Sequence, residues 1–251
     1  MRLFILVLSI FTLGNPAFSQ SDKLSGLLNQ GITLHDKGDF ANAVKIYDNI
    51  IQLDSSYQAA YYEKSFSFYG WGKYPEAIAI YTEGILKYPD SYMLHFNRGI
   101  TEYQLKLYPE AANDFKNSVS LNPFHPSSHQ SLAYCVYDKN KVAGMLALSV
   151  FLMLEPEGKR AEKNLSAAEK LKSKLELFGN AELTKADAAG FFTEFYIPFF
   201  KQLNKDKQLL TACYIINATS DDPKTKKWLD KNKQTVKEFY DWLKDYKWTE
   251  R

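Results

Sequence analysis

Ala43, Ala77 and Ala111 stand 34 residues apart. So do Phe40, Tyr74 and Tyr108, and so do Tyr47, Tyr81 and Phe115. Gly31 and Gly99 are two periods apart with Ser65 between them. Pro89 and Pro123 keep the spacing and Pro156 comes one residue early. Independent columns that agree on one period mark a tandem repeat. This constrains the chain more than any other feature, because a unit this short cannot bury its own apolar face and must stack on its neighbours.

Each unit reads as two helices. In the second, QAAYYEKSFSFYGWG places apolar residues at helical spacing and then breaks at glycine. KYPEAIAIYTEGILKYPD follows, with Pro75 early, where a missing N–H costs little, and Pro89 closing it. The small residues Gly31, Ser65, Gly99 and Ala133 let paired helices approach, Ala43, Ala77 and Ala111 do so from the other side, and the Tyr/Phe columns fill the space between units.

This pattern resembles the tetratricopeptide repeat. In the first unit Gly31, Phe40, Ala43, Tyr47 and Leu53 carry the resemblance. In the second the residues are Tyr61, Ser65, Tyr74, Ala77, Tyr81 and Pro89, and in the third Gly99, Tyr108, Ala111, Phe115, Leu121 and Pro123. A fourth unit, residues 126–158, keeps Leu132, Ala133 and Pro156, has Met145 in place of alanine and is one residue short, so its second helix is the least regular. The resemblance covers residues 24–158. It implies an all-α, right-handed solenoid of about four helix-turn-helix repeats that holds other proteins rather than catalysing reactions. It also implies that the first helix of each unit lines the concave side.

Positions i, i+4 and i+7 share one helix face. On the first helices these are Leu28, Ile32 and His35; Tyr62, Phe66 and Tyr69; Phe96, Ile100 and Tyr103; and Gln130, Tyr134 and Tyr137. The candidate partner-binding residues are therefore Tyr62, Phe66, Tyr69, Phe96, Ile100, Tyr103, Tyr134 and Tyr137. Relatives that grip a terminal carboxylate use Lys, Asn and Arg here, and this chain has aromatic and aliphatic residues instead. An apolar stripe of this kind needs a cover. Either another part of the chain or a partner supplies it.

The first 19 residues read as a secretory signal. Arg2 gives the positive start, LFILVLSIFTL at 3–13 is the apolar run, and Ala17-Phe18-Ser19 fits cleavage after Ser19 or Gln20. An uncleaved N-terminal anchor is the alternative. The mature protein is expected to be periplasmic or secreted, with no stable membrane insertion. Two cysteines, Cys135 and Cys213, do not make a disulfide scaffold; they either pair or sit as small buried hydrophobes. The net charge of +2 gives no reason to expect nucleic acid.

After Pro156 the period fails, and residues 159–251 read as a C-terminal helical region packing on the repeats. RAEKNLSAAEKLKSKLELF, at 160–178, is an amphipathic helix suited to cap the array. The next helix starts near Thr184, with Asp187 three residues on. It carries FFTEFYIPFF, in which residues 191, 192, 195, 196, 199 and 200 cover about half the helix circumference. Pro198 should kink it near Glu194. The segment lacks the lysine-rich polar face of an interfacial helix, so it is expected to extend or close the repeat array. If it filled the inner stripe, the proposed binding face would be occupied from within. KQLLTACYIINATS, at 207–220, is a further helix, and Asp222-Pro223 starts another. The lysines from 224 to 233, interleaved with Asp and aromatics, read as a solvated face or as a basic recognition patch.

No phosphate loop, nucleophile elbow or convincing acid/base pair is present. His125 and His129 are four apart but flank Pro126 at a unit boundary. No enzyme, cofactor or metal site is expected. The expected function is an exported scaffold for a protein or peptide partner. The alternative is a carrier of a small hydrophobic ligand held between the repeats and the C-terminal helices.

Overall fold

The computed structural model describes residues 16–164 and 190–248. The apolar run at 3–13, most of the expected cap helix and the expected start at Thr184 lie outside those residues. Eight helices pair into four hairpins: α1 (Pro16–Asp36) with α2 (Phe40–Leu53), α3 (Gln58–Gly70) with α4 (Tyr74–Lys87), α5 (Tyr92–Gln104) with α6 (Tyr108–Leu121), and α7 (Pro126–Val136) with α8 (Lys141–Leu154). Two compact units divide the chain, Met1–Lys87 and Tyr88–Arg251. The first holds α1–α4. The second holds α5–α8 and the C-terminal helices.

The small-residue columns work by contact. A Cβ added at Gly31 would lie 2.4 Å from the Tyr47 ring, and one at Gly99 would lie 2.9 Å from the Phe115 ring. At the matching position Ser65 turns its hydroxyl back onto the Tyr61 carbonyl at 2.7 Å. Tyr47, Tyr81, Phe115, Ala43, Ala77 and Ala111 are all buried.

The turns within the hairpins explain the short fourth unit. Gly38 and Gly72 both have φ near +77°, and Lys106 occupies the same place at +61°. In each, the next residue donates back to the carbonyl five positions earlier: Asp39 to Leu34 at 2.9 Å, Lys73 to Phe68 at 2.9 Å, and Leu107 to Glu102 at 3.0 Å. In the fourth hairpin Asn140 follows Lys139 directly, with φ at −141°, and caps α8 by accepting the Ala143 N–H at 3.0 Å. The left-handed residue is the one deleted. Gly144, one residue ahead of Met145, then takes the close approach, where a Cβ would lie 2.8 Å from the Tyr137 Cα. With that shift α8 forms a full helix of 14 residues, and Ala143 to Met153 are all buried. A helix with no polar side must be covered all round.

A second repeating contact ties three of the first helices, α3, α5 and α7, to the chain entering them. The Tyr61 hydroxyl donates to Ser55 O at 3.2 Å. One period later His95 Nε2 lies 3.2 Å from Pro89 O, and a further period on His129 Nε2 lies 2.8 Å from Pro123 O.

In the second unit, residues 159–164 begin a helix. After residue 190 comes a π-helical turn at Phe192–Tyr196, then α9 (Ile197–Lys205), α10 (Leu209–Ile216), α11 (Pro223–Lys231) and α12 (Lys233–Asp245). The π turn sits where the sequence places a kink. Pro198 has no N–H for the Glu194 carbonyl, and the chain widens so that the Ile197 N–H reaches Phe192 O. Asp222 caps α11 through Lys224 and Thr225, both at 3.2 Å, as Asp222-Pro223 suggested.

The aromatic run is core. Phe192, Phe195, Tyr196, Ile197, Phe199 and Phe200 are buried in one cluster with Phe115, Leu132 and Phe151. Trp248 stacks on Phe199 at 4.3 Å and on Phe195 at 5.1 Å. The Tyr196 hydroxyl pins the run to α7 through His129 Nδ1 at 2.7 Å. Since His129 Nε2 must carry a proton to reach Pro123 O, its Nδ1 accepts and the tyrosine donates. Burial holds the His129 pKa down at about 4, so the ring is neutral.

Candidate functional site

Each unit presents its own face. In the first, α3 carries Tyr62, Phe66 and Tyr69 at i, i+4 and i+7. Phe66 stacks between its neighbours, with ring centroids 6.1 Å from Tyr62 and 6.4 Å from Tyr69. His35, at the end of α1, stacks on Phe66 at 4.8 Å and is steered there by Ser67 Oγ, 2.8 Å from its Nδ1. Phe66 remains 36% exposed. Burial and the nearby Asp36 raise the Glu63 pKa on the same helix. These residues make a nearly parallel aromatic stack with one face in water.

In the second unit the candidates separate into two groups. Phe96 and Ile100 are half-buried against the core. Phe96 packs edge-on to His125 at 4.8 Å and on Phe115 at 5.8 Å, so its ring supports the interior. Tyr103, Tyr134 and Tyr137 instead line an open groove of about 380 Å³ with Ala133, Leu148, Asp138, Lys163 and Asn164. Tyr134 is 49% exposed and Tyr103 36%. Asn164 Oδ1 accepts from the Tyr134 hydroxyl at 3.1 Å, which fixes that ring, and Asn164 Nδ2 is tied to Arg160 O at 2.7 Å. None of residues 190–205 lines this groove. The Phe191–Phe200 run therefore does not fill it.

Cys135 is half-buried, and burial with the nearby Glu102 carboxyl pushes its thiol up to about 12, so no thiolate forms near neutrality. Cys135 and Cys213 are not joined in a disulfide. His125 Nδ1 is engaged by Ser128 Oγ at 2.7 Å, and both His129 nitrogens are hydrogen-bonded. Among the described residues no group of three or more His, Cys, Asp or Glu could hold a metal ion. Among the same residues no helix is long and apolar enough to cross a membrane.

A smaller pocket of about 250 Å³ lies between the end of the fourth hairpin and the C-terminal helices. Pro156, Ile215, Ala218, Leu229 and Val236 make it apolar, with Tyr240 among its walls. Burial, aided by Glu157, pushes the Tyr240 hydroxyl up to about 12, so it stays a neutral donor. The sequence placed a ligand between these regions but could not name the walls, because they come from three separate helices and a loop. The lysines of α11 are exposed, and Lys226 pairs with Asp221 at 3.0 Å, as on a solvated face.

No family model matches the chain. Over 115 residues it is 25% identical to a TPR repeat-containing protein of Methanocaldococcus jannaschii, an alignment that covers 46% of this chain and about a fifth (20%) of that protein's length. Among solved structures, a crystal structure of the MamA protein matches at a TM-score of 0.52 with 11% identity, over 81% of this chain and 96% of that one. YrrB, described as a TPR protein with an unusual peptide-binding site, matches at a TM-score of 0.48 with 14% identity, over 82% of this chain and 90% of its own. The likeness is one of fold, and with the 34-residue columns and packed hairpins it gives an all-α protein built on tetratricopeptide-type repeats.

Proposed function

We propose that the protein is an exported, non-enzymatic scaffold that binds a segment of a protein partner on an aromatic face of its first helices. The tyrosine-lined groove formed by Tyr103, Tyr134 and Tyr137 carries this reading: two of its rings are substantially exposed, its volume of about 380 Å³ has room for side chains of a partner, and no described segment of the chain occupies it. Tyrosines serve such a surface well, since each offers a large rigid ring and a hydroxyl at little cost in side-chain entropy. The Tyr62–Phe66–Tyr69 stack offers a second face in the first unit. Export is supported by the arrangement of Arg2, the run at 3–13 and Ala17-Phe18-Ser19.

Crosslinking with mass spectrometry in whole cells tests the binding reading. The expected crosslinks join a partner to lysines beside the groove, Lys163 first. Tyr134→Ala and Phe66→Ala should each weaken capture about tenfold or more while leaving the helical circular dichroism unchanged. Capture that survives both changes would move the site elsewhere. N-terminal sequencing of the protein recovered from the cell envelope or medium tests export, with a mature start at Gln20 or Ser21 expected.

A second reading rests on the apolar pocket bounded by Pro156, Ile215, Ala218, Leu229, Val236 and Tyr240. That site fits the acyl or ring portion of a small hydrophobic ligand. Native mass spectrometry of protein purified without detergent would show the added mass, and Ala218→Trp should remove it.

A further inference from the structure

The groove's Tyr103 follows a buried acid. Glu102, in the last turn of α5, is 8% exposed, and its Oε2 is buried with no hydrogen-bond partner. The group beside it is a second carboxylate, Asp114 on α6, which is itself almost fully buried. Asp114 is already satisfied: Arg98 donates through Nε at 2.6 Å and Nη2 at 2.8 Å, and His95 Nδ1 lies at 3.2 Å. Arg98 faces Asp114 rather than Glu102, whose Oε1 it reaches only at 4.0 Å. The guanidinium thus lies much closer to one of two buried carboxyls than to the other. Two carboxylates beside each other in a buried site cannot both ionise cheaply. A buried charge with an orphan oxygen would cost far more than a neutral acid.

We propose that Glu102 is carried as a neutral carboxylic acid and that this proton is a regulatory element of the adjacent tyrosine groove, holding its Tyr103 wall against α7. The proposal rests on the groove being the binding site. The groups facing Glu102 are Arg98 from α5, Asp114 and Glu110 from α6, and Cys135 from α7, with His95 on the far side of Asp114 as its hydrogen-bond partner. Of these, only Arg98 draws the proton off. Burial first, then Asp114, moves the Glu102 pKa up to about 7, which puts the change of state at neutrality. Loss of the proton creates a buried charge between α5, α6 and α7 in the turn that also supplies Glu102 O to the Leu107 N–H. That turn loosens, and Tyr103 shifts with it. The groove is then competent on the acid side of neutrality and weakened above it.

Carboxyl-detected NMR on the full-length protein reads the first half without any partner. The Glu102 side chain should titrate near pH 7, well above the other glutamates, and an ordinary midpoint near 4.5 would overturn the proposal whatever the groove binds. For the second half, a tyrosine-groove ligand found by crosslinking is titrated against wild type and Glu102→Gln at pH 6 and pH 8. Wild-type affinity should fall about tenfold over that range, and the isosteric, uncharged variant should hold its pH 6 affinity at both. If Glu102 titrates near neutrality while affinity does not change, the regulatory link is wrong and the binding site stands. If Tyr134→Ala leaves affinity untouched, it is the groove that is wrong.

Discussion

Lys106 departs from the rule of the first two hairpins. It adopts φ +61° at the position where the two preceding hairpins use glycine. A non-glycine residue in the left-handed region carries a strain of roughly 1 kcal/mol. Lys106→Gly should therefore raise the stability of the second unit by up to about 1 kcal/mol, offset in part by the greater freedom glycine gives the unfolded chain. Urea denaturation followed by tyrosine and tryptophan fluorescence would measure it, and a loss of stability would mean that Lys106 makes compensating contacts.

His129 gives a prediction with a definite sign. Its folded pKa lies at about 4, below the unfolded value of 6.5. The unfolded state therefore binds the proton first as pH falls, and stability drops from pH 6.5 downward, by roughly 2 kcal/mol between pH 7 and pH 5. Glu102 acts in the opposite direction. Its raised folded pKa means that stability present at low pH is lost as pH rises from 4.5 towards 7. Melts of His129→Phe and Glu102→Gln across that range separate the two: the first should lose the acid-side decline and the second the neutral-side decline. Neither residue announces itself in the sequence. The carbonyl clip keeps its spacing while its side chain changes from Tyr61 to His95 and His129, and its acceptor is backbone. Glu102 stands out only when three helices have buried it.

At the scale of elements, the small-and-large columns were readable because they pair across one hairpin. Gly31 meets Tyr47 and Gly99 meets Phe115, so a fixed sequence distance becomes a fixed contact. The shortened fourth hairpin was visible as a missing residue, but its location was not. It becomes legible once Gly38, Gly72 and Lys106 are seen to share a backbone conformation that Asn140 does not need. The π turn follows the same logic: Pro198 fixes where a bond is lost, and the buried aromatics on both sides fix how the chain absorbs it. Beyond this packing, Tyr196 ties the element to α7 through a hydrogen bond to His129. Tyr196→Phe would leave His129 Nδ1 buried and unpaired, at a cost of about 1–3 kcal/mol. Hydrogen exchange should then show faster opening of α9 with α2 and α3 unchanged. Equal rates in both proteins would mean that packing alone holds the run in place.

At the scale of the molecule, the aromatic wealth of the chain serves two ends that composition cannot separate. Phe192, Phe199 and Trp248 make an interior, and Tyr103, Tyr134 and Phe66 stay at the surface. Identity and periodicity put the second set on one helix face, but which members remain wet depends on what packs nearby. Phe96 and Ile100 were legible as inner positions and yet lean on the core. The second unit depends on its last helices, because α8 has no solvent side. A chain ending at residue 158 should therefore expose Leu146, Val150 and Met153 and self-associate, and size-exclusion chromatography should show a loss of monomer. A monodisperse, fully helical product would show that α8 can be covered by α7 alone.

The same dependence sets an order in time. Synthesis runs from the N-terminus, and α1–α4 contain every partner of the core built on Leu24, Ala43, Tyr47, Ile50 and Ala60. That unit can close once its own residues are free to fold, before the rest of the chain follows. The second draws on pairs far apart in the chain, since His129 needs Tyr196 and Phe199 needs Trp248. Until those partners are in place α8 has apolar sides without cover, so the second unit gathers late around it.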